Sequence, residues 1–95
     1  MNVVSRKCIK EFIQTYPDGK SSIEAWYHEA KCAEWKTSMD IKQRYASASF
    51  LPGNYVIFNI KGNSYRLVTQ VAYKNGIVYI KWLGTHAEYD KRRFP

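Results

Sequence analysis

Apolar residues in the first half of the chain recur at the spacing of amphipathic helices. Behind Ser5, a predicted N-cap, one apolar face continues up to the turn-forming Pro-Asp-Gly sequence at residues 17–19. This face consists of Ile9, Phe12, Ile13 and Tyr16. A second helix is predicted from Ser21, which forms a capping-box pattern with Glu24, to about Trp35. A short third helix is predicted within residues 37–47, anchored by Met39, Ile41 and Tyr45.

The second half of the chain changes to the alternating pattern of β-strands. Three strand-like runs, YVIFNI, SYRLVTQVAY and IVYIKWLG, begin at residues 55, 64 and 77. The sequences KGN and KNG between them contain Gly-Asn and Asn-Gly pairs, which favour tight hairpins. Residues 55–84 are therefore predicted to form a three-stranded antiparallel meander, and residues 2–5 (NVVS) a further strand.

These elements predict a single α+β domain over residues 1–95, in which an antiparallel sheet packs on two helices. The sheet would comprise the meander and the N-terminal strand. No run approaches the roughly 20 apolar residues of a membrane helix, and MNVVSRKCIKEF lacks the pattern of a signal segment. We therefore expect a cytoplasmic protein without a membrane partner, in which Cys8 and Cys32 are reduced packing residues and bind no metal.

Alternation divides each predicted strand into two faces, of which the more apolar should pack on the helices. In the third run that face is Val78, Ile80 and Trp82, opposed by Tyr79, Lys81 and Leu83. The open face would combine cations, amides and an aromatic ring, with Lys61 close by at a hairpin end. Its members are Asn59, Arg66, Gln70, Tyr79 and Lys81. His86 and Tyr89 follow at i and i+3, so a helical turn would place both at the edge of this face.

Charge and side-chain chemistry direct attention to polyanions. The net charge is +7, and residues 51–95 contain seven of the fifteen basic residues but only two of the eight acidic ones. Arg and Lys neutralise phosphate, Tyr stacks on unpaired bases and His transfers protons near neutral pH. RNA carries its own nucleophile, the 2′-OH, so a base, an acid and cations suffice for cleavage without a metal.

Plainer interpretations of the same residues remain open. Cations on an open sheet face are often only solvated, and KRRFP is typical of a charged tail, with a phosphate-contacting arm as the alternative. Trp26, Trp35 and Trp82 are expected in the core. The residues alone indicate a basic α+β domain that binds RNA, an anionic membrane surface or an acidic protein.

Three stretches, AWYHEAKCAEWKT, YVIFNIKGNSYRLVTQVAY and GIVYIKWLGTHAEYDK, resemble the HigB branch of the RelE-like toxins of bacterial type II toxin–antitoxin systems. The resemblance extends from VVSRK to EYDK. It implies a small antiparallel sheet on two helices, and a metal-independent endoribonuclease that needs no cofactor and cleaves mRNA on the ribosome. It also implies a cognate antitoxin, usually a HigA-like helix-turn-helix protein, that silences the toxin.

The resemblance also implies roles for individual residues. The implied catalytic residues are Arg66, Lys81, His86 and Tyr89. The expected RNA-binding residues are Asn59, Lys61, Tyr79, Lys91, Arg92 and Arg93. Which catalytic residue acts as base and which as acid stays open. The alternative functions are a non-catalytic RNA- or ribosome-binding domain that blocks translation, and a small adaptor for an acidic protein.

Overall fold

The computed structural model describes residues 1–92, in which a five-stranded sheet packs against helices. In chain order the elements are β1 (Asn2–Val4), α1 (Arg6–Thr15), α2 (Lys20–Cys32), α3 (Ser38–Arg44), β2 (Ser49–Leu51), β3 (Tyr55–Ile60), β4 (Tyr65–Ala72), β5 (Ile77–Thr85) and α4 (His86–Asp90). A 3₁₀ turn at Pro17–Gly19 joins α1 to α2. The α+β class, the N-terminal strand, the first three helices and the meander are confirmed.

The sheet differs from the prediction in two respects. Its strand order is β1-β5-β4-β3-β2, and β1 pairs with β5 in parallel, whereas every other pair is antiparallel. The outer strand β2 was not predicted, because its three residues are too few to show an alternating pattern. Pairing of Phe50 with Val56 across β2 and β3 nevertheless extends the sheet beyond the meander.

The capping box predicted at Ser21 and Glu24 is wrong, because α2 begins earlier. The 3₁₀ turn leaves Gly19 in a helical conformation (φ −89°, ψ −2°), so the helix continues directly from this residue and encloses Ser21. Gly19 is buried, and a Cβ atom there would lie 2.8 Å from Cε2 of Phe12. A glycine therefore allows α1 and α2 to pack closely at their junction.

Two further helix predictions need correction. Helix α2 ends at Cys32, three residues before the predicted end, because Ala33 is extended (φ −77°, ψ 155°). Helix α3 begins behind Thr37, which forms a capping box with Asp40. Met39 was expected to anchor α3 but is 60% exposed, whereas Ile41 is fully buried. The anchoring face of α3 thus runs through Ile41 towards Tyr45 rather than through Met39.

The helices cover one face of the sheet and enclose the core. From the helices, Ile23, Trp26 and Ile41 are buried, and Trp26 packs edge-on against Phe58 of β3 at 5.3 Å between ring centroids. The strands contribute the residues on the more apolar face of each run. These are Val56, Phe58 and Ile60 of β3, Tyr65, Leu67, Thr69 and Val71 of β4, and Val78 and Ile80 of β5. The predicted core positions of Trp26 and Trp35 are confirmed.

A β-bulge in β5 overturns the prediction for the end of that strand. Thr69 pairs with Ile80 but Val68 pairs with Trp82, so Lys81 has no partner in β4. The extra residue inverts the alternation beyond it. Trp82 therefore shares the open face with Val68, and Leu83 joins Leu67 on the core side. The predicted core position of Trp82 is wrong for this reason.

Candidate active site

Arg66 of β4 and His86 of α4 are in direct contact. Nη2 of Arg66 lies 2.8 Å from Nε2 of His86. The sheet brings them together because Arg66 pairs with Gly84, and α4 begins at His86 immediately after β5 ends at Thr85. A guanidinium group has only donors, so Arg66 donates and Nε2 of His86 accepts.

Asp90 binds the other nitrogen of the same imidazole. Its Oδ2 lies 3.1 Å from Nδ1 of His86, one helical turn earlier in α4. Since Nε2 accepts from Arg66, Nδ1 carries the proton and donates to Asp90, which favours the Nδ1–H tautomer. A role for Asp90 was not predicted. The i, i+4 spacing of His86 and Asp90 in a predicted helical turn was the signal from which this contact could have been found.

The guanidinium group of Arg66 also lies over Tyr89. Its Cζ is 4.8 Å from the centroid of the Tyr89 ring, within the range of a cation–π contact. Nε of Arg66 is buried and, within residues 1–92, has no hydrogen-bond partner. Arg66 is thus held by His86 and Tyr89, and movement of its side chain would make the buried Nε donor accessible to an acceptor such as a phosphate oxygen.

A capping box sets the direction of α4. The backbone N–H of Glu88 donates to Oγ1 of Thr85 at 3.1 Å, and the backbone N–H of Thr85 donates to Oε1 of Glu88 at 3.0 Å. The bonds from Thr85 hold the pKa of Glu88 below its usual value. The hydroxyl of Tyr16 also donates to Glu88, at 3.2 Å. These contacts tie α4 to the end of α1 and so fix the positions of His86 and Tyr89.

The β-bulge adds Trp82 to the site. The Trp82 and Tyr89 ring centroids are 6.2 Å apart, and the guanidinium carbon of Arg92 lies 5.3 Å from the Trp82 ring. Gly84 makes this packing possible, because a Cβ atom there would lie 2.7 Å from Cζ2 of Trp82. No sequence signal indicated Trp82, since a bulge in a continuous apolar run leaves the residue pattern unchanged.

The other residues predicted for the open face form two groups, one beside Arg66 and one around Tyr79. Asn59 lies on the same face as Arg66, as predicted, and pairs with it across β3 and β4, while its side-chain amide donates to the carbonyl of Ser47. Tyr79 pairs with Gln70, and the Lys81 ammonium lies 5.6 Å from the Tyr79 ring centroid. Lys81 is therefore on the open side of the sheet, but its described contact is with Tyr79 and not with the Arg66–His86 pair.

Lys61 is directed away from the Arg66–His86 pair. Its ammonium forms an ion pair with Asp18 at 2.9 Å, and Asp18 also accepts from the hydroxyl of Tyr65 at 2.6 Å. The Lys61 and Tyr65 bonds lower the pKa of Asp18, and the bond to Asp18 raises the pKa of Tyr65 to about 12. Tyr65 faces the core, and both Tyr65 and Lys61 bind Asp18 of the 3₁₀ turn. Lys61 therefore links the β3–β4 turn to the 3₁₀ turn on the core side of the sheet.

Two of the three basic residues predicted at the C-terminal end lie within the described chain. Lys91 is exposed at the C-terminal end of α4, where its backbone N–H donates to the carbonyl of Glu88. Arg92 is exposed beside Trp82. Arg93 was predicted to bind RNA but lies outside the described residues. The site within residues 1–92 therefore extends from Arg66 through α4 to Arg92.

Two kinds of feature are not found in the described part of the chain. No group of three or more His, Cys, Asp and Glu side chains there could hold a metal ion. No helix within residues 1–92 is both long and apolar enough to cross a membrane. The candidate site accordingly consists of one imidazole, its carboxylate partner, cationic side chains and aromatic rings.

The structure is a small α+β domain with a cationic, histidine-containing site beside its open sheet face. This is the arrangement expected of a RelE-like toxin. Residues 19–92 match the HigB toxin family, described as the RelE-like toxic component of a toxin–antitoxin system. The chain belongs to this family.

Known relatives extend the match to nearly the whole chain. The protein is 29% identical over 93 residues to the mRNA interferase toxin HigB of Escherichia coli (strain K12), covering 95% of this chain and 88% of that protein. The same identity and coverage hold for the mRNA interferase HigB of Shigella flexneri. A relative from Escherichia coli O6:H1, also an mRNA interferase HigB, is 20% identical over 93 residues, covering 96% of this chain and 90% of that protein.

Proposed function

We propose that this toxin is an mRNA interferase that stops translation by cutting mRNA with the 2′-OH of the RNA as nucleophile. The observation that carries the proposal is the contact between Arg66 and His86. It places a proton acceptor and a fixed cation within 2.8 Å of each other, next to an open sheet face. The names of the relatives supply the substrate class, mRNA.

The first step is substrate binding by Arg66. A phosphodiester oxygen is a stronger acceptor for a guanidinium group than a neutral imidazole nitrogen, because it is charged. We infer that Arg66 turns its Nη2 from His86 to the scissile phosphate, and that the same movement exposes the buried, unpartnered Nε, which then also binds the phosphate. This movement uncovers the lone pair of Nε2 on His86. The substrate itself therefore activates the base.

The second step is proton transfer and attack. Nε2 of His86 takes the proton of the 2′-OH, the 2′-oxygen forms a bond to the adjacent phosphorus, and the bond from phosphorus to the 5′-oxygen breaks. The leaving 5′-oxygen takes up a proton from the imidazolium or from Tyr89. The products are a 2′,3′-cyclic phosphate and a free 5′-OH, and attack of water on the cyclic phosphate breaks its bond to the 2′-oxygen to give a 3′-phosphate. Arg66 stabilises the charge of the phosphorane-like transition state.

Asp90 and Tyr89 position these groups. Asp90 keeps the proton on Nδ1 and stabilises the imidazolium that forms when Nε2 is protonated, through the contact of 3.1 Å. Tyr89 supports the guanidinium through its ring and assists proton transfer through its hydroxyl, which Tyr89→Phe would remove. Lys81 supplies a second cation for the transition state, which requires it to move from Tyr79 towards the phosphate.

Residues around this centre bind the rest of the RNA. Asn59 and Tyr79 offer an amide and a ring from the sheet, and Lys91 and Arg92 offer cations from the end of α4. Arg93 belongs to the same basic segment of the sequence. Lys61 would add a cation for the RNA only after its ammonium leaves Asp18.

The test is growth arrest on induction, combined with mapping of RNA 5′ ends. The variants His86→Ala, Arg66→Ala and Tyr89→Phe should relieve the arrest and remove the new ends. Loss of a proton-transfer group typically costs about 10²–10⁴-fold in rate. If all three variants stay as toxic as the parent, the site is wrong. Arrest without new RNA ends would instead support a non-catalytic domain that binds RNA or the ribosome.

We further propose that cleavage takes place on ribosome-bound mRNA in the cytoplasm, and that a HigA-like helix-turn-helix antitoxin silences the toxin. Comparing cleavage of free and ribosome-bound mRNA tests the first part. Co-expression of the neighbouring reading frame tests the second, because an antitoxin should restore growth and copurify with the toxin. Cleavage of free mRNA at the same rate as ribosome-bound mRNA would contradict ribosome dependence.

A further inference from the structure

A groove of about 740 Å³ lies at the opposite end of β5 from the Arg66–His86 pair. It is formed by β1, the end of α2, the segment that follows α2, and the β4–β5 turn, and we call it the hairpin groove. β5 runs from Ile77, beside the groove, to Thr85, beside His86. At a rise of about 3.3 Å per residue, some 25 Å separate the two sites.

The floor of the hairpin groove is apolar. Tyr27, Ala33, Trp35 and Tyr73 contribute to its lining, and Tyr27, Ala33 and Tyr73 are each partly buried. Trp35 is only 6% exposed, so the groove reaches only a small part of its ring and the ring faces are covered. An apolar surface of this size is suited to receive the side chains of another protein.

Lysines dominate the rim. Lys31, Lys36 and Lys74 are exposed around the groove, and Glu34 is the one acidic residue among those that line it in the described chain. An apolar floor with a mainly basic rim complements a segment whose apolar anchors are flanked by acidic residues.

The ring contacts favour a protein over RNA as the occupant. Nucleobases stack on exposed aromatic faces. One face of Tyr27 is covered by the guanidinium of Arg6, 5.4 Å from the ring centroid, and the ring also contacts His28. Trp35 is buried against Tyr45 and Phe58. Glu34 would moreover repel a phosphate.

We propose that the hairpin groove is the docking surface for the antitoxin, which inserts apolar side chains between acidic residues. This inference rests on the proposed toxin function. Because the groove is distant from Arg66 and His86, the antitoxin holds the toxin through a surface separate from the residues that cleave RNA.

The experiment reverses two rim charges that lie outside helices and strands. Lys36→Glu/Lys74→Glu should weaken binding of the neutralising antitoxin by at least about tenfold, measured by calorimetry at low salt. It should leave RNA cleavage by the free toxin unchanged. The matched control is Lys10→Glu/Lys20→Glu, which changes net charge equally at exposed helix positions outside the groove and should bind normally.

Hydrogen exchange provides a second measurement that needs no variant. The antitoxin should protect residues 31–36 and 73–76 of the unmodified toxin more than residues 86–90. Unchanged affinity of the Lys36→Glu/Lys74→Glu variant, or equal weakening in the control, overturns the docking site. Loss of cleavage on ribosomes with normal antitoxin binding also overturns it, and assigns the groove to the ribosome. Absence of cleavage by the parent toxin is a separate result that contradicts the proposed function alone.

Discussion

Nη2 of Arg66 and Nε2 of His86 lie 2.8 Å apart, although the two residues are 20 positions apart in the chain. The contact joins the residue that would bind the phosphate to the residue that would take the proton. Because the lone pair of Nε2 is occupied by Arg66, the imidazole becomes available only when the guanidinium finds another acceptor. The resting geometry therefore links activation of the base to arrival of a phosphate.

Replacing Arg66 by lysine tests this link. Arg66→Lys keeps the charge but loses the planar fork that contacts His86 at rest and would bind the phosphate after the guanidinium turns. We expect the cleavage rate to fall by about 10²-fold or more, in the range found for loss of one transition-state donor. Single-turnover cleavage of an mRNA substrate measures the effect. Arg44→Lys, at an exposed arginine of α3 that pairs with Glu29 outside the site, is the control and should cleave at close to the parent rate.

Asp90→Asn tests the positioning of the imidazole. The amide is uncharged, so it stabilises the imidazolium less and can also favour the wrong tautomer. A hydrogen bond to a charged group contributes roughly 1.5–3 kcal/mol, so kcat should fall by about 10- to 100-fold. KM should stay near the parent value, because Asp90 does not contact the RNA in this mechanism. A rise in KM with unchanged kcat would show that Asp90 instead acts in RNA binding.

Gly84→Ala tests the packing of Trp82 within the site. The new Cβ would lie 2.7 Å and 2.8 Å from two atoms of the Trp82 ring and 3.0 Å from Oε1 of Glu88. We expect the free energy of unfolding to fall by about 1–3 kcal/mol, the usual cost of overpacking. Urea denaturation measures the change.

A second substitution provides the control for Gly84→Ala. In a Trp82→Leu background, Gly84→Ala should lower the free energy of unfolding by less than it does in the parent, because the smaller side chain removes most of the clash. An equal loss of unfolding free energy in both backgrounds would show that the clash with the Trp82 ring does not cause the destabilisation.

The Lys61–Asp18 pair predicts a stability change that depends on pH. Because Lys61 and Tyr65 lower the pKa of Asp18, the folded protein favours the carboxylate. The contribution is present above the pKa that Asp18 has in the unfolded chain and is lost as the pH falls through the folded pKa. Asp18→Asn should therefore be less stable than the parent at pH 7, and the difference should shrink below about pH 4. Urea titrations at several pH values measure it. A difference that stays constant down to pH 2 would contradict this assignment.

Local patterns were sufficient for most of the architecture. Period-2 alternation identified β3, β4 and β5, and the spacing of Ile9 and Phe12 identified α1. The shared face of Asn59, Arg66, Gln70 and Tyr79 followed from strand parity, whereas their pairing register came from the structure. These predictions succeeded because pleating and helical pitch are properties of neighbouring residues.

Within the candidate site, the sequence could not predict contacts between residues that are far apart in the chain. The resemblance selected Arg66, His86 and Tyr89, and the structure brings these three together. It could not show that Lys61 pairs with Asp18, because these residues meet only after β3 and β4 pack on the helices.

The sequence by itself determined the α+β class, the meander and the basic second half, because periodicity and charge are local properties, and together with the resemblance it indicated the region of the candidate site. Only the tertiary structure decided how that region is assembled. The bulge at Lys81 inverts the end of β5 and turns Trp82 towards Tyr89, and the pairing of Arg66 with Gly84 brings the guanidinium to His86. The physical reason is that one extra residue in a strand changes the face of every later side chain without leaving a mark in the residue pattern.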